Sequence, residues 1–268
     1  MDSFTIELVS NASSELFPDN TLSSFTNFLP EQVQLDGQWE VAISEISYPS
    51  MYQNVTVGKF IYFDSRHSDK VETLYLAPGL YSSITDIVQA MNICIGERLS
   101  LIRQFITIKV LRSTQQVEIS LENETSRLAI LSNDLTHIFG GDVRGDSKGI
   151  IMSGKGPHKP LFAYDIVRIH SLMIYSDIVE YNIVGDTKAP LLRCFPFISK
   201  IKSGDILTTG QYMNYQTFSN LQFRRLLKKS FQSVHIDLRD TSGEKIPFVS
   251  VGITRLVLMF RKVSDYHF

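Results

Sequence analysis

The sequence predicts a mainly β fold: an antiparallel sandwich or jelly roll interrupted by an α+β insertion. Three observations carry this. Both ends of the chain hold short runs of period-two hydrophobicity, turn-forming residues separate those runs, and one central stretch has apolar residues at helical spacing.

At the N-terminal end, "FTIELVS" sets Phe4, Ile6 and Leu8 against Thr5, Glu7 and Val9, and "WEVAISEISY" sets Trp39, Val41 and Ile43 against Glu40, Ala42 and Ser44. Such alternation of β-branched and aromatic residues with polar ones marks half-buried strands. Between them, Pro18-Asp19-Asn20 and Asp36-Gly37 supply turn chemistry on either side of a further extended run, and Pro49 ends the next strand or confines it to an edge. The C-terminal part repeats the style, with strands predicted over 165–177, 189–199, 211–218, 221–229, 233–240 and 252–263. Residues 239–248 form a loop with a Ser-Gly turn. The last strand, with Leu256, Leu258 and Phe260 on one face and no proline, is expected to be central.

The middle differs. Ser82 or Ser83 caps a helix whose apolar residues fall at Ile84, Ile87, Val88, Met91 and Ile95. A hairpin with "STQ" at its tip follows, then a short helix, "NDLTHIFG", closed by Gly140 and Gly141. Residues 140–160 read as a Gly-rich return linker. The expected organisation is a β-domain from 1–57 and 157–268, with 58–156 as the α+β insertion.

The 268 residues suffice for a core without staples, and only Cys94 and Cys194 are available, which makes neither a disulfide framework nor a metal-ligand spacing. The N-terminus lacks the basic and apolar regions of a signal peptide, and no apolar run approaches the roughly 20 residues of a membrane span. Intracellular synthesis without membrane insertion is therefore expected, and the sequons at Asn11, Asn54 and Asn123 are read as chance matches. Charge is distributed unevenly. Residues 1–58 hold eight acids and no Lys or Arg, leaving 20 acids against all 26 bases in the remainder, a formal +6. Such a split suits a head-to-tail contact between identical subunits, which joins two different patches and can close a ring. The basic run "RRLLKK" (224–229) has poor aromatic interleaving and reads as a solvated strand end, so no sequence-specific nucleic-acid contact is expected.

The motifs that carry chemistry are incomplete. There is no HExxH, no nucleophile elbow and no phosphate loop, and no cofactor is expected. His235 and Asp237 share a strand face without a third ligand. Arg193 beside Cys194 would lower the thiol pKa, but neighbours in a strand point to opposite faces. A hydrolase using Cys194 and His235 is the weakest reading, behind a β-sandwich module that binds a receptor or carbohydrate. Arg144-Gly145-Asp146 is a tripeptide that binds cell-surface integrins when displayed on a loop, though tripeptides recur by chance. The stretch "SDIVEYNIVGDTKAPLLRCFPF" (176–197) is rich in charge, but Asp177, Glu180 and Asp186 lack a base or nucleophile at defined spacing. Gly185-Asp186 is a turn, and Pro190 and Pro196 suit a sheet edge, so a connector or interface loop accounts for the composition better than an active site.

Taken together, Ser10-Asn11, Phe17-Pro18-Asp19-Asn20, Leu29-Pro30, Leu35, Gly37, Trp39-Glu40-Val41-Ala42 and Tyr48-Pro49 resemble the opening of the minor capsid (penton) proteins of Maverick/Polinton elements and related adintoviruses. The segments "LAPGLYSSITDIVQAMN", "IYSDIVEYNIVGDTKAPLLRCFP", "IDLRDTSGEKIPF" and "VLMFRK" extend the resemblance over nearly the whole chain, while the 140–160 linker has no counterpart. The resemblance implies a single jelly roll that forms homopentamers at the vertices of an icosahedral double-stranded DNA virus capsid, with a double jelly-roll major capsid protein as partner. The insertion is expected to face outward, where it contacts a host cell-surface receptor or merely caps the vertex. On that view the protein is structural, not catalytic, and resides in the virion. The expected subunit-interface residues are Glu40, Glu45, Asp177, Glu180, Asp186, Arg193, Arg224 and Arg225, and the receptor loop would be Arg144, Gly145 and Asp146.

Overall fold

The computed structural model describes residues 2–64, 71–98, 106–141, 149–198, 212–249 and 252–263. In chain order the elements begin with β1 (Ser3–Val9), β2 (Ser24–Gln34) and β3 (Trp39–Pro49), then β4 (Gly58–Asp64), β5 (Glu72–Leu76), α1 (Ile84–Arg98), β6 (Ile106–Leu111) and β7 (Gln116–Leu121). Next come β8 (Ser126–Ile130), α2 (Asn133–Ile138), β9 (Ile150–Ser153), β10 (Gly156–His158), β11 (Ser171–Ser176), β12 (Asn182–Val184) and β13 (Thr187–Ala189). The last five are β14 (Leu191–Pro196), β15 (Met213–Thr217), β16 (Arg224–Arg225), β17 (Ser230–Arg239) and β18 (Arg255–Lys262).

Two compact units result. Unit 1 takes in the described residues up to Tyr52 and those from Ile169 onward, and unit 2 those of Gln53–Arg168. The chain thus changes unit at 52/53 and 168/169. The 149–160 stretch, expected to be linker, instead supplies β9 on β8 and β10 on β7. Tyr164 and Asp165 then bond to Gln115 and Ile138, which keeps the returning chain in unit 2.

Unit 1 is a jelly roll. One antiparallel sheet has the order β1-β18-β3-β15, with β16 also on β3, and the other has the order β14-β11-β17-β2. Among the eight long strands of this unit, the first, eighth, third and sixth form one sheet and the second, seventh, fourth and fifth the other, which is the double Greek-key order. The alternation read from the sequence sets the inner faces. Leu8, Val41, Ile43, Leu256, Leu258 and Phe260 from the first sheet meet Phe25, Leu172, Ile174, Val234, Ile236 and Leu238 from the second in one core. Each such side chain contributes about 1.5–3 kcal/mol on burial. β18 is central, flanked by β1 and β3, as its unbroken apolar face requires.

In β3 the inward set changes parity from Val41 and Ile43 to Ile46 and Tyr48. A bulge accommodates the extra residue: Val257 faces Glu45 and Leu258 faces Ile43, leaving Ser44 unpaired in that ladder. The carbonyl of Ser44 accepts from the Phe218 amide instead.

The strand predicted over 221–229 shortens to Arg224–Arg225. The free edge of β3 is shared, with β15 occupying Glu45–Pro49 and β16 occupying Glu40 and Val41. Beyond Arg225 the chain leaves the ladder as a strap, and Leu226, Leu227 and Lys229 bond to Trp39, Ile178 and Leu35 in turn.

Unit 2 has its own core, built on the sheets β5-β4-β8-β9 and β10-β7-β6. Ser83 caps α1 by accepting the Asp86 amide on its hydroxyl. The predicted apolar face of α1 (Ile84, Ile87, Val88, Met91, Ile95) is buried. After α2 the chain turns at Gly140, whose φ is +74° and where a Cβ would strike the carbonyl oxygen of Phe162, so glycine is required twice over. No described helix is long and apolar enough to cross a membrane.

Candidate subunit-contact surface

A sandwich of two open sheets has two lateral sides, and here each is stitched by one buried asparagine. On one side, Asn27 of β2 accepts the Val9 amide at 2.7 Å and donates to the Val9 carbonyl at 2.9 Å, tying the edge strands β1 and β2 together. On the other, Asn214 of β15 donates to the carbonyl of Ile198, just past β14, at 2.6 Å. The edges of β1, β2, β14 and β15, unpaired among the described residues, are where another chain can meet this one.

Of the acidic N-terminal block, Glu7, Glu15, Asp19 and Glu31 lie along the first side, whereas Glu40 and Glu45 sit on interior strand β3, and much of the block is spent within the chain. Arg255 pairs with both Glu7 and Glu45, Arg261 with Glu40 at 2.9 Å, and Lys262 with Asp36 at 3.9 Å. The jelly-roll order explains this, because it inserts basic β18 between acidic β1 and β3. The Arg255 guanidinium holds the Glu7 carboxyl below its ordinary range, and Glu7 in turn raises Arg255. Glu40 and Glu45, predicted as interface charges, are thus neutralised in cis.

The 176–197 stretch divides into two parts. β12 and β13 form a hairpin whose two-residue loop is Gly185-Asp186, with Gly185 at φ +63°. A left-handed glycine in the first loop position matches the twist of the flanking strands. The hairpin exposes Tyr181, Ile183 and Asp186. Asp177 accepts from Lys228 at 2.6 Å and from the His235 amide at 2.8 Å, and the Glu180 amide bonds to the Arg225 carbonyl. Asp177, Glu180, Arg224 and Arg225 are therefore brought into one region around the strap. A groove of about 260 Å³ opens there, lined by Leu35, Gly37, Trp39, Arg225, Leu227 and Lys229 among others.

Arg193 departs from the picture of a solvated charge. It lies on β14, 8% exposed, with its guanidinium 3.7 Å from the centroid of the Phe218 ring and Nη1 donating to the Asn220 carbonyl at 3.0 Å. Burial pulls its pKa below the ordinary guanidinium value. The signal was present in the sequence, since Arg193 shares odd parity with Phe195 and Phe197, both of which face the core.

The hydrolase pairing fails on geometry. Cys194 sits opposite Met173, which sits opposite Arg239, and His235 lies four residues further along β17. With β11 between them, the two backbones are roughly 16 Å apart. Burial pushes the Cys194 thiol up, away from the thiolate, and Arg193 points to the other face. His235 instead bonds to Thr26 at 2.8 Å and lies 3.5 Å from Asp237. Burial raises Asp237, but hydrogen bonds from His235, Ser24 and Arg239 outweigh it and hold the carboxyl far below the carboxylate range. Among the described residues no group of His, Cys, Asp and Glu is arranged to hold a metal ion. Arg144, Gly145 and Asp146 lie outside the described residues.

No protein-family model matches the chain, and no curated protein matches it. Among solved structures it is similar to the mavirus penton protein, at 12% identity and a TM-score of 0.45, with 98% of this chain and 100% of that one covered. It is also similar to a chain of the Sputnik virophage structure, at 9% identity and a TM-score of 0.45, with 100% of both chains covered.

Proposed function

We propose that this chain is a structural capsid protein, a penton that forms homopentamers at the vertices of an icosahedral double-stranded DNA virus capsid. Its neighbour there would be a double jelly-roll major capsid protein, and its residence the virion. The observation that carries the reading is the strand order of unit 1, β1-β18-β3-β15 facing β14-β11-β17-β2. Viral capsid proteins share that order with lectins and cupins, and a fold alone does not choose among its uses. The choice rests on the residues that resemble Maverick/Polinton minor capsid proteins, from Ser10-Asn11 to Tyr48-Pro49, which fall in the connection after β1, in β2 and β3 and in the turn between them. Arg144-Gly145-Asp146 is the segment such a penton would offer to a host receptor. Native mass spectrometry of the purified chain at micromolar concentration is expected to show a five-subunit species, and a stable monomer would overturn the reading.

A further inference from the structure

The buried charged side chains among the described residues are Asp64, Asp134, Arg193 and Asp240. Three are fully served. Asp134 faces Arg168 at 2.6 Å, Asp64 accepts from Tyr62, Asn123, Thr125 and Ser126, and Asp240 accepts from the backbone and hydroxyl of its own loop. Arg193 is the exception. It has one carbonyl and one ring, its Nε finds no acceptor, and no carboxylate among the described residues pairs with it. A buried cation without an anion is unfavourable, and the planar guanidinium is built for two-pronged carboxylate recognition.

Its position is informative. Arg193 is on edge strand β14, and Phe218 and Asn220 follow edge strand β15, so the guanidinium bridges the two sheets on one lateral side. Tyr215 and Ile198 are exposed on that side, at 61% and 55%. The opposite side carries the complement. Glu7 there, and Asp36, Glu40 and Glu45 elsewhere in the N-terminal block, are consumed in cis, but Glu15, Asp19 and Glu31 are exposed with no ion pair among the described residues. Glu31 sits where the β2–β17 register breaks, between Phe28 and Val33, which lifts it off the ladder at a free edge. Exposed Leu16 and Phe28 lie among these acids, and residues 1–58 offer no Lys or Arg to compete for them.

We propose that Arg193 is completed by a carboxylate from a second copy of this chain, presented by the β1–β2 edge at Glu15, Asp19 or Glu31. The contact joins two different patches, so repeating it generates a ring. It rests on the penton reading and gives that reading its register.

The test uses the full chain and follows the subunit count against concentration by native mass spectrometry, with thermal unfolding recorded in parallel. Arg193→Met, and separately the triple variant Glu15→Lys, Asp19→Lys, Glu31→Lys, are each expected to raise the assembly midpoint by about tenfold or more. Arg193→Met should keep or raise the unfolding temperature, because it removes an unpaired buried charge. Combining Arg193→Glu with the triple variant should recover assembly. A wild type that forms pentamers equally well with Arg193→Met overturns this contact and leaves the ring reading standing. Loss of assembly with Arg193→Met but not with the triple variant overturns the choice of edge. A lower unfolding temperature with assembly unchanged assigns Arg193 an internal role instead. A monomeric wild type removes the ring, and this contact with it.

Discussion

In unit 1 most ion pairs lie at the rims of the sandwich, where Arg255 and Arg261 reach across neighbouring strands to Glu7, Glu45 and Glu40, all at least partly in water. In unit 2 a pair lies inside. The Asp134 carboxylate, on α2, accepts from the Thr56 amide at 2.6 Å, the Thr56 hydroxyl at 2.5 Å and the Val57 amide at 3.2 Å, and faces Arg168 at 2.6 Å. It therefore fastens both ends of unit 2, the segment just after Tyr52 and the one just before Ile169. The contrast follows from the raw material. Long alternating strands bury enough apolar surface that most of their ion pairs can stay outside, whereas a unit of short strands and helices fixes its ends with a buried polar hub.

The sharpest way to break that contrast is Asp134→Ala. It takes the carboxylate from Arg168 and from three donors, and a loss of about 3–5 kcal/mol is expected, confined to unit 2. Trp39, the single tryptophan, belongs to unit 1, so its fluorescence should follow the wild-type unfolding curve while far-UV circular dichroism shows an early transition. The reverse experiment is Leu258→Ala, which opens a cavity between the sheets and should cost about 2–5 kcal/mol, reported directly by Trp39. Coincident transitions by both probes in either variant would show that the units do not unfold separately.

Reversing Glu40 and Glu45 to Lys sharpens the comparison at the rim. With their partners in cis, each should cost about 0–1 kcal/mol in thermal unfolding, less at high salt. Lost assembly at unchanged stability would instead return both residues to the subunit interface. The last test, read against pH, is at Asp237. Its folded pKa lies below its unfolded one, so its contribution is complete above about pH 4 and declines as pH falls toward the folded value. Asp237→Asn should therefore flatten the acid side of the stability–pH curve and leave the neutral side with a constant offset.

Strand existence was legible where one face meets one core. β1, β3 and β18 read directly from alternation, and α1 from its cap and spacing. The failures have a common cause in edges and partners distant in sequence. Nothing in "LQFRRLLKK" announces that β15 already occupies part of the β3 edge. Nothing in "GPH" (156–158) announces a place beside β7. The charge split was visible, but its use was not, because only the strand order places β18 between β1 and β3. Of the expected interface residues, Arg193 changed most in meaning. Parity placed it inward, and the absence of an acid beside it among the described residues emerged only from the packed structure.

The strand order also has a consequence in time. β18 lies between β1 and β3, so the first sheet cannot close until residues 255–262 have left the ribosome. The described residues of unit 2, within 53–168, are made more than 80 residues earlier. At the usual elongation of about 5–20 residues per second, unit 2 has seconds in which to fold while β1, β2 and β3 wait with an apolar face uncovered. While the described residues of unit 2 are already made, unit 1 is still an open half-sandwich, and β3 becomes covered on both flanks only once β18 has been made. Ribosome-bound chains truncated before residue 255 should resist protease over the described residues of 53–168 and be cut within 1–52.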